Sequence, residues 1–116
     1  MLPRQPAKLL RLLFSEHDRY EGVALHEAIA NVCLDLGIAG LTVFRGLEGY
    51  GESAALHRRR VLAHDQPVVA TVVESAENIE RLMAQIGKML DTSMVAISDV
   101  ETIRIQHGAV QAPAPG

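Results

Sequence analysis

The chain has 116 residues and a formal charge of −3, with both signs interspersed. That length fits one domain with an ordinary apolar core and leaves no room for a second catalytic domain. The negative balance argues against generic nucleic-acid binding or a polybasic membrane anchor, and no segment approaches the roughly 20 apolar residues needed for membrane insertion as a helix.

After a short N-terminal extension over residues 1–7, Lys8–Phe14 is dense in leucine and is expected as a strand buried on much of both faces. The polar cluster "SEHDRY" bounds it. Leu25, Ala28, Ile29, Val32 and Leu36 then recur at helical spacing, and Gly37 supplies the stop. Cys33 lies beside this stripe and is the single cysteine, which excludes an intrachain disulfide or a thiolate-rich zinc site and fits a reducing, cytoplasmic setting. A buried structural thiol is the expectation there. Ala39–Arg45 is a second strand, and "QPVVATVVES" a third with Pro67 confined to its start. Ser75 is placed to cap a second helix with the stripe Ile79, Leu82, Met83, Ile86 and Leu90, its first turn carrying Glu77 and Glu80 near the positive end of the dipole. "VAI" and "DVETIRI" return to β character, with Val100, Ile103 and Ile105 as the last apolar positions. The Ala/Pro-rich end marks residues 107–116 as a disordered tail.

The order βαββαβ over residues 8–106 gives an α+β, ferredoxin-like sandwich: an antiparallel sheet with both helices on one face. The second sheet face is then left uncovered. A continuous apolar face of that size normally marks association, so an oligomer is expected.

Between the second and third strands, residues 46–66 form a connection long for a hairpin. It holds Gly46, Gly49 and Gly51, Tyr50, Glu48, Glu52 and the run Arg58–Arg60. Glycine-lined backbone amides beside guanidinium groups suit phosphate, because amides supply directed donors and arginine bidentate ones. Simple turn punctuation is the other account, since the pattern is neither a dinucleotide fingerprint nor a P-loop. The basic run can equally be a solvated stretch balanced by carboxylates. The five histidines His17, His26, His57, His64 and His107 show no helical i, i+4 pair, so no metal site is expected from one chain. No nucleophile–base order or catalytic carboxylate pair stands out, and the chain is expected not to be an enzyme.

"SEHDRYEGVALHEAI", "LGIAGLTVFRGLEGYG" and "DVETIRI", in this order and spacing, resemble the uncharacterised PII-like family known as domain of unknown function one-ninety. The resemblance covers nearly the whole chain. It implies a PII-like homotrimer with adenine nucleotide, AMP or ADP, bound in clefts between subunits, and a signalling role in which the 46–66 loop regulates a partner, by analogy a membrane transporter. Carried onto this sequence, it makes Gly46, Gly49 and Gly51 the base of the loop, with Arg45 as an anchor or charge partner. Glu74 and Ser75 would lie near the base or ribose, and Arg104 would hold phosphate. The glycine and lysine turn of true PII proteins, expected near "DTSMVA", has neither residue there, which favours AMP or ADP over ATP. Two alternatives remain on the same fold: a metal- or ion-responsive trimer of the copper-tolerance type using His57 and His64, and an assembly module without a ligand.

Overall fold

The computed structural model describes residues 2–46 and 66–106. In chain order the elements are β1 (Gln5–Ser15), a short hairpin of β2 (Arg19–Tyr20) and β3 (Val23–Ala24), α1 (Leu25–Leu36), β4 (Thr42–Arg45), β5 (Pro67–Glu74), α2 (Ala76–Ile86), a 3-10 turn (Gly87–Met89) and β6 (Met94–Thr102). The main sheet has the order β4-β5-β1-β6 and every pairing in it is antiparallel. Each helix therefore joins two strands with a third lying between them, the split arrangement of a ferredoxin-like sandwich.

The period of two along the strands divides the sheet cleanly. Leu10, Leu12 and Phe14 of β1 stand opposite Val72, Ala70 and Val68 of β5, and all six are buried. They pack with Ile29 and Cys33 of α1 and Ile79, Leu82 and Ile86 of α2, so both helices cover this face. The other face presents Leu9 and Leu13 of β1, Val69 and Val73 of β5, Met94 of β6 and Phe44 of β4. Phe44 is 57% exposed and Met94 46%. Arg11 is the only charged side chain on it among the described residues. The expectation that β1 is buried on much of both faces is met only in part by a single chain: Leu9 and Leu13 are half-buried and Arg11 is exposed, because the helices lie on the other side.

Other boundaries move for local reasons. Gln5–Ala7 belong to β1 because they pair with Val100–Thr102 of β6. "SEHDRY" is more than a boundary: with Glu21 at φ 50° and Gly22 at φ 88°, it enters a two-residue turn that demands left-handed backbone at both positions. Leu25 N then donates to Asp18 O at 2.8 Å, tying this hairpin to the start of α1. Gly37, at φ 72°, ends α1 as expected. β4 starts at Thr42 rather than Ala39, because the Ala39 amide is spent on the Glu74 carboxylate. Ser75 caps α2, its Oγ accepting from Asn78 N at 3.1 Å. α2 ends at Ile86, so Leu90 reaches the core from beyond the 3-10 turn. Ile103 and Ile105 lie past the end of β6 and are exposed. Cys33 is 4% exposed, and burial pushes its thiol pKa up, as befits an inert core residue.

Candidate functional site

The register of β1 with β5 separates the singled-out residues into two groups. Ser15 faces Pro67 at one end of the pairing and Lys8 faces Glu74 at the other. At about 3.3 Å per residue, the ends of β5 stand roughly 23 Å apart.

At the first end β4 and β5 flank residues 47–65. Gly46 N donates to Pro67 O at 2.7 Å, and a Cβ on Gly46 would lie 2.9 Å from Pro67 Cγ. Glycine is needed here because a side chain would strike the proline ring, not because of an unusual φ. Arg45 Nε lies 3.2 Å from Glu16 Oε2. Glu16 Oε1 accepts from Gln66 N at 3.1 Å, and Glu16 N donates to Gln66 O at 3.0 Å. One glutamate just after β1 therefore grips both flanks of the connection, and Arg45 is its charge partner. Sequence reasoning passed over Glu16, whose contacts span up to 50 positions and leave no local pattern. Gly87 and Lys88 lie in the 3-10 turn directly after α2. A glycine and a lysine do follow the second helix, ahead of the Asp91–Ala96 segment where the resemblance expected such a turn and where neither residue stands. Ser93 Oγ, between that turn and β6, is buried without a partner among the described residues. Gly49, Gly51, Tyr50, Arg58–Arg60, His57 and His64 lie outside the described residues.

At the opposite end Glu74 closes β5. Its Oε2 accepts from Ala39 N at 2.8 Å, while Oε1 accepts from Ser75 N at 3.2 Å and Asn78 Nδ2 at 2.9 Å. The Ala39 amide, followed by Asn78, holds this carboxyl below its ordinary pKa against the opposing effect of burial, and the Ser75 amide adds the least. Ser75 is engaged as the cap of α2. Arg104 follows β6 and lines an open cleft with Pro3, Gln5, Thr102, Ile103 and Gln106. It has no ion-pair partner among the described residues; Glu101, the nearest candidate along the strand, pairs with Arg4 at 3.2 Å. The cleft is walled by the β1–β6 pairing, where the Thr102 hydroxyl donates to Gln5 O.

Within one chain the structure thus brings Arg45 to Gly46 and Glu74 to Ser75, sets Arg104 beyond the second group, and keeps the two groups apart. Among the described residues no cluster of His, Cys, Asp or Glu could hold a metal ion.

Known structures define the class. The chain is similar to CPII, a nitrogen regulatory PII-like protein from Thiomonas intermedia K12. The form bound to ADP and bicarbonate matches with a TM-score of 0.66 at 16% identity, over 90% of this chain and 95% of that one. The form bound to ADP, AMP and bicarbonate matches with a TM-score of 0.62 at 18% identity, over 90% and 100%. The fold is PII-like. At the level of sequence, residues 7–102 match DUF190, described as an uncharacterized ACR. A UPF0166 protein from Aquifex aeolicus is 31% identical over 98 residues, covering 83% of this chain and 92% of its own. The chain belongs to the DUF190 family.

Proposed function

We propose that this chain is a cytoplasmic, non-enzymatic signalling protein that assembles as a homotrimer and binds an adenine nucleotide, AMP or ADP, between subunits. Arg45, Gly46, Gly49 and Gly51 of one copy form one wall of the cleft, and Glu74, Ser75 and Arg104 of a neighbour the other. Occupancy is passed through residues 46–66 to a partner such as a membrane transporter. The observation that carries this reading is the separation of the two groups across the sheet: a site that uses both needs a second copy. The apolar open face, with Leu13, Val69, Met94 and Phe44 on it, supplies a surface for that copy. Arg104, exposed and unpaired among the described residues, supplies free donors for phosphate. The Glu74 carboxylate, already filled by three donors, serves as a fixed edge of the cleft rather than a free acceptor. The PII-like fold of CPII, solved with ADP and AMP, points the same way.

Calorimetric titration with AMP, ADP, ATP and cyclic AMP, run beside light scattering, tests this reading. A trimeric mass and saturable binding of AMP or ADP are expected. A stable monomer at micromolar concentration removes the intersubunit site, and silence towards all four nucleotides removes the ligand. Zinc and copper in the same series test the metal-responsive alternative.

A further inference from the structure

Glu16 and Arg45 are used unequally. The Glu16 side chain is 18% exposed and its carboxylate is fixed by the Gln66 amide on Oε1 and by Arg45 Nε on Oε2. The Glu16 backbone is fixed as well, through its own amide to Gln66 O. The Arg45 side chain is 65% exposed and meets no other partner among the described residues. A guanidinium carries five N–H donors in one rigid plane, and a contact through Nε sets the direction of that plane. The donors on its two Nη atoms meet no partner among the described residues. A flexible arginine stem would otherwise sample many orientations, and holding it in one lowers the cost of binding an anion there.

We infer that Glu16 is a positioning residue for an oxyanion site at the base of the 46–66 connection: it presents the remaining N–H donors of Arg45 to a phosphate or carboxylate group without touching that group itself. The inference rests on the nucleotide-binding reading and adds a division of labour to it. Arg45 carries the charge that recognises the oxyanion, and Glu16, anchored just after the inner strand β1, decides where that charge points. Glu16 as a competitor that must be displaced from Arg45 predicts the opposite sign.

The test uses the full chain with ADP and adenosine as probes, in wild type, Glu16→Gln, Arg45→Ala and the double variant. Glu16→Gln keeps an oxygen for the Gln66 amide and replaces the anionic acceptor facing Arg45 Nε with an amide NH2, which can only donate. It should weaken ADP about twofold to fivefold, the range of an exposed ion pair, and leave adenosine, which has no oxyanion, unchanged. The double variant should bind ADP no more weakly than Arg45→Ala alone. Arg45→Lys, which keeps the charge but not the planar fork, should weaken ADP and make it insensitive to Glu16→Gln. Tighter ADP binding in Glu16→Gln would make Glu16 a competitor and overturn the inference. Equal losses for ADP and adenosine, or additive losses in the double variant, would make it a merely structural residue. Unchanged ADP affinity in Arg45→Ala sinks this site while the nucleotide reading stands; a wild-type protein that binds neither probe, nor AMP in their place, sinks both.

Discussion

The two ends of the sheet each carry a glutamate, and the two are put to different use. Glu74 is filled by neutral donors, two of them backbone amides, and joins the segment after α1 to the end of β5 and the first turn of α2. Glu16 divides its oxygens between one backbone amide and a largely exposed guanidinium. A carboxylate closed off by fixed neutral donors acts as a joint. A carboxylate that shares an arginine leaves the rest of that arginine's donors for something else. The same residue type therefore makes a closed structural junction at one end and a contact with a largely exposed guanidinium at the other.

Arg104→Ala sharpens the comparison most. If Arg104 supplies the phosphate contact of the Glu74 end, its loss should cost about 1.5–3 kcal/mol of binding, roughly ten- to hundredfold in ADP affinity. Unfolding in denaturant should not change, because Arg104 holds no ion pair among the described residues. Equal ADP affinity in calorimetry would move the phosphate contact elsewhere.

Gly46→Val attacks the opposite end. The new Cβ would stand 2.9 Å from the Pro67 ring, so the base of the hairpin must shift. Overpacking of this kind costs about 1–3 kcal/mol, read as a lower midpoint in urea. A variant as stable as wild type would show that the two flanks part easily and that Glu16, not the glycine, sets their spacing.

Ser75→Ala should cost about 1 kcal/mol through loss of the cap on Asn78 N. The loss should appear as faster amide exchange in the first turn of α2, with β4 and the Arg45 end unaffected. Spread of the effect to Gly46 would mean that the ends are mechanically coupled.

Acid tests the joint itself. Glu74 has a folded pKa below its ordinary value of 4.5, so its contribution is fully present above that value and is lost as pH falls through the lowered one. Glu74→Gln should be less stable at neutral pH and lose less on acidification, in melts between neutrality and the acid limb. Parallel wild-type and variant curves would show that other carboxylates carry the acid response. The smallest effect belongs to Arg45→Ala, at about 0–1 kcal/mol of stability, since the pair with Glu16 is exposed on the arginine side. A larger loss in chemical unfolding would make Arg45 a structural residue of the loop base.

Periodicity placed both helices and the inward stripes Leu25, Ala28 and Ile29 and Ile79, Leu82 and Ile86, because a 3.6-residue repeat is a local consequence of backbone geometry, while apolar runs marked the strands around them but not the division of β1 between two faces. The stop at Gly37 and the cap at Ser75 were legible for the same reason: each acts on backbone groups within a turn of itself. Even the open face followed from the element order, since two helices on one side leave the other bare. The tertiary structure decided what depends on register between distant strands. It put Arg45 and Gly46 at one end of the sheet and Glu74 and Ser75 at the other, although both groups border the same connection or strand in the sequence. It shortened β4 by diverting the Ala39 amide to a carboxylate 35 positions away, and it gave Glu16 its role through contacts that reach 50 positions along the chain. Such pairings carry no repeat and no local preference, because a carboxylate meets its donors only where the completed sheet delivers them.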